Sequence, residues 1–513
     1  MAGLDGAAWH LVDPLIDEGV MPRLAALRAR GASGSLRSTV PPVTPPAWTS
    51  AATGVNPGRH GVYGFYVGHA QHERRELMHS GLVHSPTIWE VANAQGARVG
   101  VFNVPLTYPP VEVDGWMVAG MMTPGYGHRL EGYVLPRALE DAIAARVPDY
   151  IIEMNANWEQ DWRDESLAER ALASIEQRHA VLELLLTEHP TDIVFAVLEA
   201  PDRLQHVYYR YMDPADPLYA TSAAARVRPA VARCFAALDR TIGMLEDFAG
   251  TDGCVVVCSD HGFTAWEVSV HTNFLLESWG YLKLKRRARA MQSSVARAVV
   301  PVAKRFLPTR VRRGAKVRTL AVIDWARTRA FASPDYLQGV FVNVEGREPL
   351  GIVKPAELDA LKNDIAARFE TLRDPDGRPV TERVWRSEEV YGPDALPGAP
   401  DLLPVLRDHR HLPRGVHHPD GIVILGGTGI SPNSDVRAGI TDVTPTLLYM
   451  SGLAVPEGLD GSVMTSAFDD SHLRAHPVAA MAPLGARPRA QDSPYSAEEE
   501  EAIAESLRGL GYL

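Results

Sequence analysis

The chain has 513 residues, 46% of them hydrophobic and 22% charged, with a formal net charge of −12. That length and apolar content favour a soluble enzyme with a large α/β body over a small binding module. The acidic balance speaks against a nucleic-acid-binding surface, which would be basic overall, although bound cations can invert the field locally and admit a phosphate.

The N-terminus carries neither a charged n-region nor an apolar h-region, and no run of about 18 apolar residues occurs anywhere, so a cytoplasmic protein without a transmembrane segment is expected. Gly3-Leu4-Asp5-Gly6 comes so early that little chain remains for a first strand, which implies a clipped strand or a late start. Further on, apolar runs at 98–103, 192–198, 254–258 and 421–425 read as strands, while 166–186, 223–248 and 441–451 have the spacing of amphipathic helices. This alternation predicts an α/β fold: a doubly wound, mostly parallel sheet flanked by helices, with a cap or insertion. Ligands of such sheets gather at the carboxyl ends of strands, which is where Asp202 and Asp260-His261 fall.

Some stretches look peripheral. Residues 125–162 mix aromatics and acids without clear periodicity and are expected to cap the pocket. Residues 284–318 are strongly basic, with Lys285, Arg286, Arg287, Lys304, Arg305, Arg312 and Arg313. They read first as a solvated helical insertion and alternatively as a peripheral membrane contact or a lid for an anionic ligand. The catalytic body would then comprise 1–283 and 319–468, and 469–513 would be a linker ending in a docking helix. Cys234, Cys254 and Cys258 are too few and too apolar in setting for a disulfide framework, and Cys254 and Cys258 are too far apart along a strand to share a zinc ion.

Asp5, Asp202, His206, Asp260, His261 and His417 supply the hard oxygen and imidazole ligands that two divalent cations need, and Thr44 supplies a hydroxyl that a cation could activate. That combination points to hydrolysis of phosphate or sulfate esters. Each residue also has a bland reading: Thr44 as an extended residue before Pro45, Asp5 as a turn former, Asp202 in a surface ion pair with Arg203, His417-His418 as a polar loop. Asp239, Asp442 and Asp460 read as helix, cap and turn residues, with Asp442 opening a helix that has Pro445 in its first turn.

Taken in order, Gly3-Leu4-Asp5-Gly6, the stretch from Val43 to Gly61, Asp202-x-x-x-His206, Ser259-Asp260-His261-Gly262 and His417-His418-Pro419-Asp420-Gly421 resemble the alkaline phosphatase superfamily, most closely its type I phosphodiesterase and nucleotide pyrophosphatase branch. The resemblance spans roughly residues 3–465. It implies one metal held by Asp202, His206 and His417 and a second held by Asp5, Asp260, His261 and the Thr44 oxygen. It prefers His417 to His418, and zinc, with manganese as the alternative. It also implies a phospho-threonine intermediate later cleared by water. Nucleotide-cleaving relatives carry an Asn where this chain has Phe65, so a nucleotide substrate is not implied. Asn103, after a strand-like run, is the candidate replacement donor, and Phe65, with Tyr63 and Tyr66, either packs as core, the default for such aromatics, or faces a base, lipid or glycosyl group of the substrate.

Two dications balanced by three aspartates and a deprotonated Thr44 leave a neutral cluster, to which a monoanionic diester or sulfate comes more readily than a dianionic monoester. No dedicated Arg stands next to Thr44 in the sequence, and Arg37 and Arg59 could reach it only from a distance. The expectation is a small-molecule phosphodiester or pyrophosphate hydrolase. A monoesterase, sulfatase or phosphoryl transferase using the same site is the alternative, and a non-catalytic phospho-ligand binder is a third reading.

Overall fold

A computed structural model describes residues 1–67, 76–125, 131–154, 161–265, 272–285, 322–332, 339–374, 376–406, 415–490 and 492–509. Its centre is a nine-stranded sheet. Five adjacent strands run parallel: Val255–Cys258, Ala2–Leu4, Ile193–Leu198, Val99–Val104 and Gly115–Ala119. Asp420–Gly426 lies antiparallel beside Val255–Cys258, followed outward by Ala32–Arg37 and Asp435–Gly439, and Val134–Leu135 closes the other edge antiparallel to Gly115–Ala119. The doubly wound, mostly parallel sheet is as expected.

The four apolar runs form strands because both sheet faces are covered. Along Ile193–Leu198, Val194, Ala196 and Leu198 face one apolar cluster, with the helices Ser166–Glu188 and Ser222–Ala249, while Ile193, Phe195 and Val197 face another, with Trp48, Trp89 and Leu448. That alternation is the two-residue period of a strand buried on both sides. The first strand has only three residues, yet it sits between two others, with Leu4 opposite Leu198 and Gly3 opposite Cys258. Short length is tolerated because neighbours on both flanks satisfy its backbone.

Residues 319–468 do not all belong to that sheet. Ala330–Ala332, Val340–Val342, Leu402–Leu406 and Thr381–Arg386 make a separate four-stranded antiparallel sheet covered by Leu358–Glu370, with its own core of Phe331, Phe341, Ile365, Phe369 and Leu402. Tyr391 and Tyr63 tie this lobe to the body, their hydroxyls donating to Val40 O at 2.6 Å and Leu396 O at 2.7 Å.

Of the stretch expected to cap the pocket, the described residues join the body: Val134–Leu135 is the sheet edge, and Ile143, Tyr150, Ile152 and Met154 are buried in the main core. The C-terminal helix Ala497–Gly509 buries Ile503 and Leu507 in that core, and the Tyr495 hydroxyl donates to Met122 O at 3.0 Å. The basic stretch lies outside the described residues from 286 to 318. Among the described residues no helix is long and apolar enough to cross a membrane.

Candidate active site

The parallel strands deliver the acidic residues to one edge. Asp5 directly follows Ala2–Leu4 in a tight turn closed by Ala7 N donating to Leu4 O. The expectation that Asp5 stands in a turn therefore holds, and the same turn sets its carboxylate at the end of the strand. Gly6 has φ +71, and a Cβ there would meet Phe263 at 2.7 Å, so the turn needs glycine. The Gly6 N–H donates to Asp260 Oδ1 at 3.1 Å, which couples the ends of two neighbouring strands.

Asp202 and His206 lie on the helix Ala200–Met212, which opens after Ile193–Leu198, and their four-residue spacing puts both side chains on one face. His417 arrives on Gly415–His418, paired antiparallel to Gly262–Ala265 with His417 opposite Phe263. This ribbon explains why His261 and His417 meet: their rings stack with centroids 3.6 Å apart. His418 points away and is 37% exposed beside Asp420.

Thr44 is not an extended loop residue. It is the first residue of the helix Thr44–Thr53 and is fully buried. Pro45 and Pro46 follow it, preset for a first helical turn and lacking N–H groups that would otherwise need partners there. Thr44 Oγ1 lies 3.3 Å from His261 Nε2.

Two groups of ligand-type atoms result. His206 Nε2, His417 Nε2 and Asp202 Oδ1 form a triangle with edges of 3.1, 3.1 and 3.3 Å. Around His261 Nε2 lie Asp260 Oδ2 at 3.2 Å, Thr44 Oγ1 at 3.3 Å and Asp5 Oδ1 at 3.6 Å. Four ligands held tetrahedrally about 2.0–2.1 Å from a zinc ion stand about 3.3–3.4 Å apart, so both groups have the dimensions of such a site. Asp202, His261 and His417 also fall within 4.8 Å of one another, which makes His261 a neighbour of both groups. The shorter edges place His206 with Asp202 and His417.

Hydrogen bonding fixes the imidazoles in the orientation a cation requires. His261 Nδ1 donates to Gly262 O at 3.1 Å and His417 Nδ1 donates to Pro42 O at 2.8 Å, leaving each Nε2 a lone pair aimed inward. Burial, followed by the neighbouring His417, holds His261 well below its usual pKa, and burial likewise lowers His417, so both rings stay neutral. Asp5 Oδ1 and Asp260 Oδ2 are buried and accept no hydrogen bond among the described residues. Burial, and then the charge of Asp260, pushes the Asp5 carboxyl well above its ordinary range, and burial raises Asp260 as well. Each carboxylate thus keeps one buried oxygen without a donor, and a divalent cation between those two oxygens would satisfy both.

Other residues shape the site without a sequence signal that singled them out. Trp48 Nε1 donates to Asp5 Oδ2 at 3.0 Å. Phe263 stands edge-on to His206 at 4.9 Å and to His417 at 5.3 Å. Arg203 does pair with Asp202, but the pair is buried, not on the surface, because Arg203 also meets Glu153 at 2.8 Å from the opposite side. Trp48 becomes legible once Thr44 is taken as a helix start, since one turn then separates them; Glu153 has no local signal at all.

The two residues considered for substrate contact are both buried. Phe65 packs in the same apolar cluster as Val62 and Phe102. Asn103 sits near the carboxyl end of its strand with φ 52, its Oδ1 accepts from the Tyr150 hydroxyl at 3.1 Å, and its Nδ2 donates to no acceptor among the described residues. Arg37 and Arg59 are engaged elsewhere, with Asp420 at 2.8 Å and Asp460 at 3.2 Å. A cavity lined by Trp48, Thr49, Trp89, Leu106 and Arg487 includes none of the Asp/His residues and is not assigned the chemistry.

Comparison with solved structures finds the same fold. Phosphonoacetate hydrolase from Sinorhizobium meliloti 1021, in complex with phosphonoformate, is 18% identical with a TM-score of 0.55, over 88% of this chain and 94% of that one. A mutant of alkaline phosphatase PafA is 13% identical with a TM-score of 0.52, over 91% and 98% of the two chains. A comparison with curated protein sequences finds no match. Residues 2–420 match the family described as type I phosphodiesterase / nucleotide pyrophosphatase, and the chain therefore belongs to that family of phosphoester hydrolases.

Proposed function

We propose that the protein hydrolyses a phosphodiester or pyrophosphate through Thr44 as nucleophile, with Asp202, His206 and His417 holding one divalent ion and Asp5, Asp260, His261 and Thr44 holding a second. The observation that carries the reading is the position of the buried Thr44 hydroxyl, 3.3 Å from His261 Nε2 and at the opening of a helix. Zinc suits the donor set and the ligand spacing, and manganese is the alternative that Asp/His sites also accept. When bound, the ions would supply Lewis acidity and positive charge at the Thr44 hydroxyl and at the phosphoryl oxygens.

The residues divide the work. Thr44 Oγ1, its proton passed to solvent, attacks phosphorus in line, forming the threonyl–phosphorus bond as the bond to the leaving oxygen breaks, and the leaving oxygen takes up a proton from water. Water then attacks the phospho-threonine and returns Thr44 to its free hydroxyl, so configuration at phosphorus is retained overall. Asn103 Nδ2, a buried donor at the carboxyl edge of the sheet, is the candidate for holding a phosphoryl oxygen.

Charge favours a monoanionic substrate. Asp5, Asp202 and Asp260 are buried at the site, Arg203 is occupied by Asp202 and Glu153, and Arg37 and Arg59 are paired elsewhere. A dianionic monoester would need further cationic help. Turnover of a bis-aryl phosphodiester measured against an aryl phosphomonoester and an aryl sulfate tests this preference. Equal or faster monoester turnover would overturn it.

A further inference from the structure

Behind Asp202 lies a row of buried charges that the proposed chemistry does not use. Arg203 Nη1 is held against Asp202 Oδ2, and Arg203 Nη2 meets Glu153 Oε1 at 2.8 Å. The side chains of Asp202 and Arg203 are 0% exposed and that of Glu153 is 4% exposed. Asp202 Oδ1, the other oxygen, faces His206 Nε2 at 3.3 Å and His417 Nε2 at 3.1 Å.

Burying three charges is costly, and apolar side chains of similar volume often fill such a space at no loss of stability. The arrangement therefore calls for a role other than holding the fold together. A carboxylate can bind a cation through one oxygen or through both, and the choice sets how many positions remain open. A guanidinium that occupies one oxygen in a fixed, planar geometry removes the two-oxygen mode.

We infer that Arg203, anchored by Glu153, is a positioning residue that restricts Asp202 to ligation through Oδ1 and so keeps the Asp202–His206–His417 site at low coordination, with a position open to substrate. Glu153 sets the guanidinium from the far side. The chain segment around residue 153 therefore acts on the metal site without touching it. The inference rests on the metal role proposed above for Asp202.

The test is binding of cobalt(II) and zinc to the full-length, metal-stripped protein, with no activity readout. Cobalt in a four-coordinate site has strong visible bands that weaken when a fifth or sixth ligand joins. Wild type is expected to bind two equivalents with strong bands. In Arg203→Met, the bands of one equivalent should weaken by at least about twofold as a further ligand joins, and its affinity should change, while the other equivalent is unchanged. Arg203→Lys, which keeps one donor for Oδ2, should recover part of the band intensity. Should Arg203→Met fail to fold because Glu153 is left unpaired, the double variant Arg203→Met with Glu153→Leu removes both charges, and the same loss is expected. Wild-type spectrum and affinity in a folded variant would overturn the inference and leave the metal reading standing; wild type that binds no metal would overturn both.

Discussion

Trp48 Nε1 donates to Asp5 Oδ2 at 3.0 Å, and this bond joins the helix that opens with Thr44 to the central strand that ends before Asp5. Trp48 lies one turn beyond Thr44, so the bond sets where the hydroxyl stands relative to the Asp5 carboxylate. Trp48→Phe keeps most of the ring and removes the donor, leaving a second Asp5 oxygen buried without a hydrogen bond. Stability should fall by about 1–3 kcal/mol in urea titration, and kcat should fall more than KM rises.

Gly3 tests the same contact from the other side. A Cβ at Gly3 would stand 2.3 Å from the Trp48 ring, and the strand leaves no room to yield because it is paired on both flanks. Gly3→Ala should therefore cost about 1–3 kcal/mol and reduce turnover, although residue 3 has no functional group. Unchanged melting temperature and rate would show that Trp48 can move without consequence.

His417 and His418 are adjacent in sequence and opposite in setting. His417 Nε2 is 3.1 Å from Asp202 Oδ1, whereas His418 is 37% exposed beside Asp420. His417→Ala should lose one equivalent of tightly bound metal and at least about 100-fold in activity, and His418→Ala should keep both within about twofold. Metal analysis of the two purified variants separates them directly.

His60 is a source of acid sensitivity separate from the Asp/His cluster. It is fully buried, its Nδ1 accepts from Val62 N at 3.1 Å, and its Nε2 faces Ser50 Oγ at 2.9 Å. Burial lowers its pKa from 6.5 to about 3. Because the folded value lies below the unfolded one, the contribution is complete above about pH 6.5 and is lost progressively as the pH falls toward 3, by up to about 1.4 kcal/mol per unit. Urea midpoints of wild type should fall more steeply than those of His60→Gln between pH 6.5 and 4.5; parallel slopes would contradict this.

The main sheet was legible because its strands are long apolar runs buried on both faces, as in Ile193–Leu198, and the helix spacing of Asp202 and His206 was legible because residues four apart share a face. The smaller lobe was not, since Ala330–Ala332 and Val340–Val342 are three residues each and their partners Thr381–Arg386 and Leu402–Leu406 lie far along the chain. Glu153 and Asp239 show the same limit at the level of single residues. Asp239 sits within a long helix, yet its carboxylate accepts from the N–H groups of Arg23 and Leu24 at 2.9 and 2.8 Å, capping another helix more than two hundred residues away in sequence. No local pattern encodes a partner at that distance.

The most direct measurement of the central claim is acid quenching of the metal-loaded protein during turnover of a bis-aryl phosphodiester, followed by mass-spectrometric mapping of covalent phosphate, on wild type and Thr44→Ala. The account predicts an aryl-phosphorylated peptide carrying the group on Thr44 in wild type, and neither the adduct nor turnover in a folded, metal-binding Thr44→Ala. Full turnover in Thr44→Ala, or the group mapped to another residue, would contradict it.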